Sequence, residues 1–231
     1  MERFLALSSE LEGRDKLTKF CQYSSRGLAF VVLSTDPKSV LGQRLTALYK
    51  ATQAARKAFR VGKSLNCFPK IDATLNNKTL ASKDQSLMFV QDVGMCCFFL
   101  FDNIQFFANA KVLPFDSARA GENGGYFWFC ANVAGFILAY EALQKEAEKE
   151  AELLKGGETN AQAQLQALRD VRFKKSLTLL KVTCDLIVSC NTAGVRIPER
   201  LFGRKLNDGV IGALGCVSAA VVLHNLWGKR K

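Results

Sequence analysis

Histidine occurs once in this 231-residue chain, at His224. Most acid–base and metal chemistry therefore lacks its usual side chain. No C-x-x-C pair exists among the eight cysteines, Cys21, Cys67, Cys96, Cys97, Cys130, Cys184, Cys190 and Cys216. That argues against a zinc site and against a disulfide scaffold. Most of these thiols lie inside apolar runs, as small buried residues of a reducing compartment do. A phosphate loop, a dinucleotide glycine fingerprint and a G-x-S-x-G elbow are also missing. The sequence thus offers no positive sign of an enzyme, and no cofactor or metal is expected. The stretch Met1–Glu10 is too short in apolar residues, and meets acids too soon, to be a cleavable signal. Entry into a membrane is expected through internal segments, and the Asn77-Lys-Thr79 sequon is read as chance. No internal repeat or low-complexity tract is evident.

What the chain has in excess is positive charge: 32 lysines and arginines against 21 acids, a net +11. Such a balance attracts polyanions, either nucleic acid or an anionic lipid surface. Hydrophobic residues make up 48% of the chain, and they concentrate after Ser86. The clearest concentration is the last one. Gly209 to Trp227 is a run of nineteen residues without Asp, Glu, Lys or Arg. About 20 apolar residues cross a bilayer core as a helix. Trp227 and the following Lys229-Arg230-Lys231 are the interfacial anchor and the positive-inside cluster, which places the C-terminus on the cytosolic side. Within this run Gly209, Gly212 and Gly215 recur every three residues, and Gly215 with Ala219 sets small residues four apart. That stripe suits close helix packing in lipid, within the chain or between copies.

The N-terminal third reads as basic helices. Leu17, Phe20, Ser24, Leu28 and Val31 form one stripe before Asp36-Pro37 breaks the pattern. In the next helix, Leu41 to about Lys63, the stripe is Leu41, Leu45, Leu48, Thr52, Ala55 and Phe59. Arg44, Lys50, Arg56, Lys57, Arg60 and Lys63 surround it, and no acid occurs between Asp36 and Asp72. A helix with an apolar face and one-signed charge suits an anionic membrane surface. The alternative is a bundle helix with a solvated basic face. Nucleic acid is discounted as a partner, because the chain carries a span and no interleaved aromatic platform.

Lys70 to Gln85 reads as a loop or short helix. Ser86 to Ala110 is apolar and aromatic, interrupted by Asp92, Asp102 and Asn103. A lone carboxylate at the bilayer centre costs about 2.5–3.5 kcal/mol on insertion scales. The two acids are close to three turns apart and so lie near one face. Gly121-Glu-Asn-Gly-Gly125 reads as a turn. Tyr126 to Tyr140 is uncharged but short for a span, and Glu141 to Lys155 looks like a solvated helix of paired charges ended by Gly156-Gly157. Ser176 to Val195 is an apolar helix in which Lys181 and Asp185, four apart, can pair. Asp92, Asp102, Lys181 and Asp185 are therefore either intramembrane pairs or the lining of a polar path.

These pieces divide the chain into four: residues 1–85, a basic amphipathic helical region; 86–140, apolar membrane-associated helices; 141–175, a charged helical loop; and 176–231, C-terminal membrane helices with a basic tail. The fold class is all-α, an integral membrane protein with N-terminal amphipathic helices and an even number, two or four, of membrane-embedded helices.

Four segments in order resemble one family. Gly13-Arg-Asp-Lys-Leu-Thr-Lys-Phe-Cys-Gln-Tyr-Ser-Ser-Arg26 looks like the opening helix of the peroxin-11 family of peroxisomal membrane proteins. Ala55-Arg-Lys-Ala-Phe-Arg-Val-Gly-Lys63 resembles its basic segment, and Phe101-Asp-Asn-Ile104 its mid-chain motif. Asp185-Leu-Ile-Val188 with Asn207-Asp-Gly-Val-Ile-Gly-Ala-Leu-Gly-Cys-Val-Ser218 resembles its C-terminal signature. Ala219 departs from it, where the family often has a second Ser. The resemblance implies a peroxisomal (or glycosomal) membrane protein with both termini cytosolic, acting in membrane elongation, organelle division and proliferation. It also implies self-association into a homo-oligomer, contact with organelle fission machinery, and in some members pores for small metabolites. The amphipathic helix of the family maps onto Leu41–Lys63, whose partner is then an anionic phospholipid membrane.

Overall fold

The computed structural model describes residues 2–155, 161–203 and 205–228, and they contain helices and no strands. The helices are α1 (Glu2–Ser9), α2 (Leu11–Thr35), α3 (Val40–Ala58), α4 (Phe68–Asn76), α5 (Ser82–Asn109), α6 (Ser117–Lys155), α7 (Ala161–Thr192), α8 (Ile197–Phe202) and α9 (Asp208–Gly228). A 3-10 turn at Lys63–Cys67 joins α3 to α4. The Gly156-Gly157 stop, Arg204 and the basic residues 229–231 lie outside the described residues.

Local chemistry sets the boundaries. The Ser39 side chain accepts the Gly42 N–H at 3.5 Å and opens α3. The Asp116 carboxylate accepts the N–H groups of Ala118 and Arg119 at 2.8 and 3.2 Å and opens α6. The Asn207 side chain accepts the Val210 N–H at 2.9 Å and opens α9. Each supplies a partner to an N–H that the first turn leaves unsatisfied. α3 stops at Ala58, earlier than the periodicity predicts. Gly62 then takes φ 74°, a left-handed conformation that suits glycine, and redirects the chain.

Two expectations are corrected. Gly121–Gly125 is no turn but the second helical turn of α6, and the Tyr126–Tyr140 run continues without a break into Glu141–Lys155 as one helix of 39 residues. The reason is packing. A Cβ at Gly124 would stand 3.2 Å from the Phe101 Cβ, and one at Gly125 would stand 3.0 Å from the Thr192 carbonyl oxygen. These glycines let α5 and α7 approach α6, which offsets their cost of about 1 kcal/mol each in a helix.

Six helices form a closed ring in the order α2, α3, α5, α6, α7, α9, back to α2. Neighbours run antiparallel, as the paired residues report. Lys83 pairs with Glu141 at one end of α5/α6, and Gly121 meets Gln105 at the other. Glu150 pairs with Arg169 and Gly125 meets Thr192 between α6 and α7, Lys19 pairs with Ser218 and Gly27 meets Gly212 between α2 and α9, and Asp185 lies beside Ser218 between α7 and α9. Large apolar side chains point out from every member of the ring, among them Phe20, Leu48, Leu100, Val133, Leu180 and Val217. Buried charges point in: Asp15, Lys19, Arg56, Asp102 and Asp185. Beside a small apolar core of Tyr23, Val188 and Ile211, the bundle thus buries charges and turns large apolar side chains outward, unlike most soluble domains. Among the described residues α5, α6 and α9 are long and apolar enough to cross a membrane.

Candidate functional site

The interior of the ring holds a cavity of about 900 Å³ lined by residues from α2, α3, α5, α6, α7 and α9. On α5 the lining runs from Gln91 to Gln105, which at about 1.5 Å per residue is about 20 Å along the helix. Two polar clusters occupy it.

The first joins α2, α3 and α5. Asp15 accepts Arg56 Nε at 3.1 Å, lies 3.4 Å from Arg60 Nε, and accepts Lys16 Nζ at 2.9 Å. Asp102 accepts Lys57 Nζ at 2.5 Å and Arg60 Nη1 at 3.2 Å. Arg56 also donates to the Gln22 side chain at 2.7 Å, and Lys57 to that of Gln105 at 2.6 Å. The guanidinium of Arg60 stands 5.6 Å from the Phe98 ring centre, and Lys63 Nζ 5.2 Å from that of Phe99. Arg60 thus bridges a carboxylate of α2 and one of α5. The contact of α3 with α5 that closes the ring runs through these charges.

The second cluster joins α2, α7 and α9. Asp185 accepts Lys19 Nζ at 2.9 Å and the Ser218 hydroxyl at 2.6 Å, and Lys181 lies 3.0 Å from its other oxygen. Lys19 donates in turn to Ser218 at 2.7 Å. Nearby, Asn132 of α6 donates to Ser189 of α7 at 3.4 Å.

The residues singled out in the sequence separate into two groups. Leu41, Leu48, Arg44 and Lys50 of α3 face outward and are exposed, with Leu45 and Phe59 half-buried. Arg56 is buried, and Lys57 and Arg60 are turned inward onto Asp15 and Asp102. Lys63 is half-buried beyond the end of α3. Lys181 and Asp185 pair with each other, while Asp102 pairs with α3. Asp92 accepts the Thr74 hydroxyl of α4 at 3.2 Å. Gly212, Gly215 and Ala219 are buried. Gly209 and Gly212 meet Phe30 and Gly27 of α2, and Gly215 meets the Tyr23 ring, so the stripe packs within the chain.

Asp15, Lys19, Gln22 and Arg26 were not singled out, yet all four line the cavity. Their signal is a polar stripe at spacings of four, three and four on α2, opposite the outward Phe20, Leu28 and Val31.

The chain is similar to known proteins along nearly its full length. The sequence model of the family described as Peroxisomal biogenesis factor 11 matches residues 1–227. A relative from Dictyostelium discoideum, "Peroxisomal membrane protein 11 homolog", is 23% identical over 251 residues, covering 99% of this chain and 95% of that one. No solved structure matches.

Proposed function

Because the chain belongs to the Peroxisomal biogenesis factor 11 family, and so is a peroxisomal membrane protein of peroxisome biogenesis, we propose that it elongates that membrane and prepares it for division through the outward face of α3. The observation that carries this reading is that face: Leu41 and Leu48 exposed, with Arg44 and Lys50 beside them and no acid in the helix. Leucines entering between headgroups add area to one leaflet, and each base near an anionic surface adds about 1 kcal/mol of attraction. Arg56, Lys57 and Arg60 serve differently: they tether the end of α3 to the bundle, so that the wedge is held by the spans. The glycine stripe of α9 is covered by α2, so the self-association that belongs to this reading is assigned to the outward apolar faces instead. An even number of crossings is part of this reading; it keeps both termini cytosolic, where organelle fission machinery is within reach.

The test is reconstitution of the full chain into anionic and neutral vesicles, viewed by electron microscopy. Tubules are expected with anionic lipid and are lost in a Leu41→Glu/Leu48→Glu variant that keeps its helix content. Tubules that persist in this variant would sink the wedge.

A second reading, a pore for small metabolites, is favoured by one observation: a closed ring with apolar residues outside surrounds a charged cavity about 20 Å long. Absence of conductance in planar bilayers counts against it.

A further inference from the structure

We infer that the cavity contains a binding site for a phosphate-class anion, at the seam where α2, α3 and α5 meet. The seam gathers five cations, Lys16, Arg56, Lys57, Arg60 and Lys63, around two carboxylates, Asp15 and Asp102, with Glu12 near Lys63. Both carboxylates are already shared. Asp15 serves Lys16, Arg56 and Arg60, and Asp102 serves Lys57 and Arg60. Lys63 has no carboxylate paired with it among the described residues and leans on the Phe99 ring instead. Counting Glu12, the excess is two positive charges in a part-buried setting. Unpaired charge there is costly, and an incoming anion relieves it. Burial lowers the pKa of Lys63, and the charges of Lys16 and Arg60 lower it further against the pull of Asp15 and Glu12. A bound anion reverses that pressure.

The donor set indicates the class of ligand. Planar guanidinium forks and several ammonium groups brought together by α2, α3 and the turn that follows α3 match an anion with three acceptor oxygens and a charge near −2, which is a phosphate group. A single carboxylate or chloride neutralises only half of the excess. The cavity of about 900 Å³ leaves room for whatever the phosphate is attached to. That phosphate has two sources, a soluble phosphorylated metabolite or the headgroup of a phosphoinositide reaching in through the seam. The site is independent of the wedge and of conduction.

Trp128 supplies the readout. It lines the cavity and stacks on Phe98 at 5.5 Å between ring centres, and Arg60 stands over that same ring. In a Trp227→Phe background Trp128 is the only tryptophan. The full chain, in discs of neutral phosphatidylcholine, is titrated with pyrophosphate against chloride at matched ionic strength. A parallel sample carries phosphatidylinositol phosphate in the disc. The expected result is a saturable change in Trp128 emission with pyrophosphate. Lys63→Gln weakens it about tenfold or more, the worth of one charge-assisted hydrogen bond. Lys16→Gln is a second such variant, and Lys174→Gln, exposed on α7 and outside the cavity lining, leaves it unchanged. A response to the lipid that blocks pyrophosphate identifies the headgroup as the source; a response to pyrophosphate alone identifies a soluble ligand. Silence in both samples, or equal affinity in all variants, overturns the site. Conductance without binding overturns it while leaving the pore reading intact, and binding without conductance does the reverse.

Discussion

Gly27 and Gly212 face each other where α2 crosses α9, yet their surroundings differ. A Cβ added at Gly27 would lie 3.5 Å from the Gly212 Cα, an ordinary contact. A Cβ added at Gly212 would lie 2.6 Å from both the Cα and the N of Gly27 and 2.8 Å from the Tyr23 carbonyl oxygen. All three are backbone atoms, so no rotamer change relieves the clash. The helices would have to separate by about 1 Å to restore van der Waals distance. Both substitutions to alanine gain the same helix propensity of about 1 kcal/mol. The difference between them therefore isolates the steric penalty, which for an overpacked core is about 1–3 kcal/mol. For a chain of this size 1 kcal/mol moves the melting temperature by about 2–4 °C. Gly27→Ala should then melt at or above the wild type, and Gly212→Ala lower than Gly27→Ala by roughly 2–12 °C. Detergent-solubilised protein followed by circular dichroism at 222 nm, roughly the helical band, reads this directly. Equal melting temperatures, or the reverse order, would refute the close α2–α9 crossing and with it the intrachain role of the glycine stripe.

Other expectations are as concrete. Asp185→Asn leaves the buried Lys19 without its counter-ion and should cost about 3–5 kcal/mol. Lys181→Gln removes a cation that is 34% exposed and should cost about 1 kcal/mol or less, by the same melting assay. All eight thiols are free, so reductant should leave both the melting temperature and the electrophoretic mobility unchanged. Cys67 is buried in the 3-10 turn, and burial, then neighbouring Cys96, raises its pKa. Its thiolate fraction near neutral pH is therefore below that of an ordinary cysteine, and maleimide should modify it slowly until the protein is denatured. Gly125→Leu would drive a side chain into the Thr192 carbonyl, separating α6 from α7; a fall in melting temperature without loss of helix content is expected, since α6 itself gains propensity.

Much of this protein is legible along the chain. The uncharged run Gly209–Trp227 identifies a membrane-capable helix, because a stretch of that length without charge has few other uses. The stripes of α2 and α3 are readable, since a period of 3.6 needs no partner to be seen. The Lys181–Asp185 pair is local, four residues apart on one helix. What periodicity leaves open is the environment each face meets. Leu41 and Leu48 read as a stripe whether they bury against a bundle or face outward, and only the ring places them outside. Arg56, Lys57 and Arg60 read as a basic surface because no acid lies near them in sequence. Their partners are Asp15 and Asp102, about 40 residues away on either side, and only the packing of α2 and α5 against α3 brings them within hydrogen-bond distance. Gly121–Gly125 misleads for the same reason: glycine breaks an isolated helix, but between closely packed helices its missing side chain is the space the neighbours occupy. Local pattern determined the helices and the membrane; tertiary contact alone decided which charges turn inward, because charge compensation acts through space.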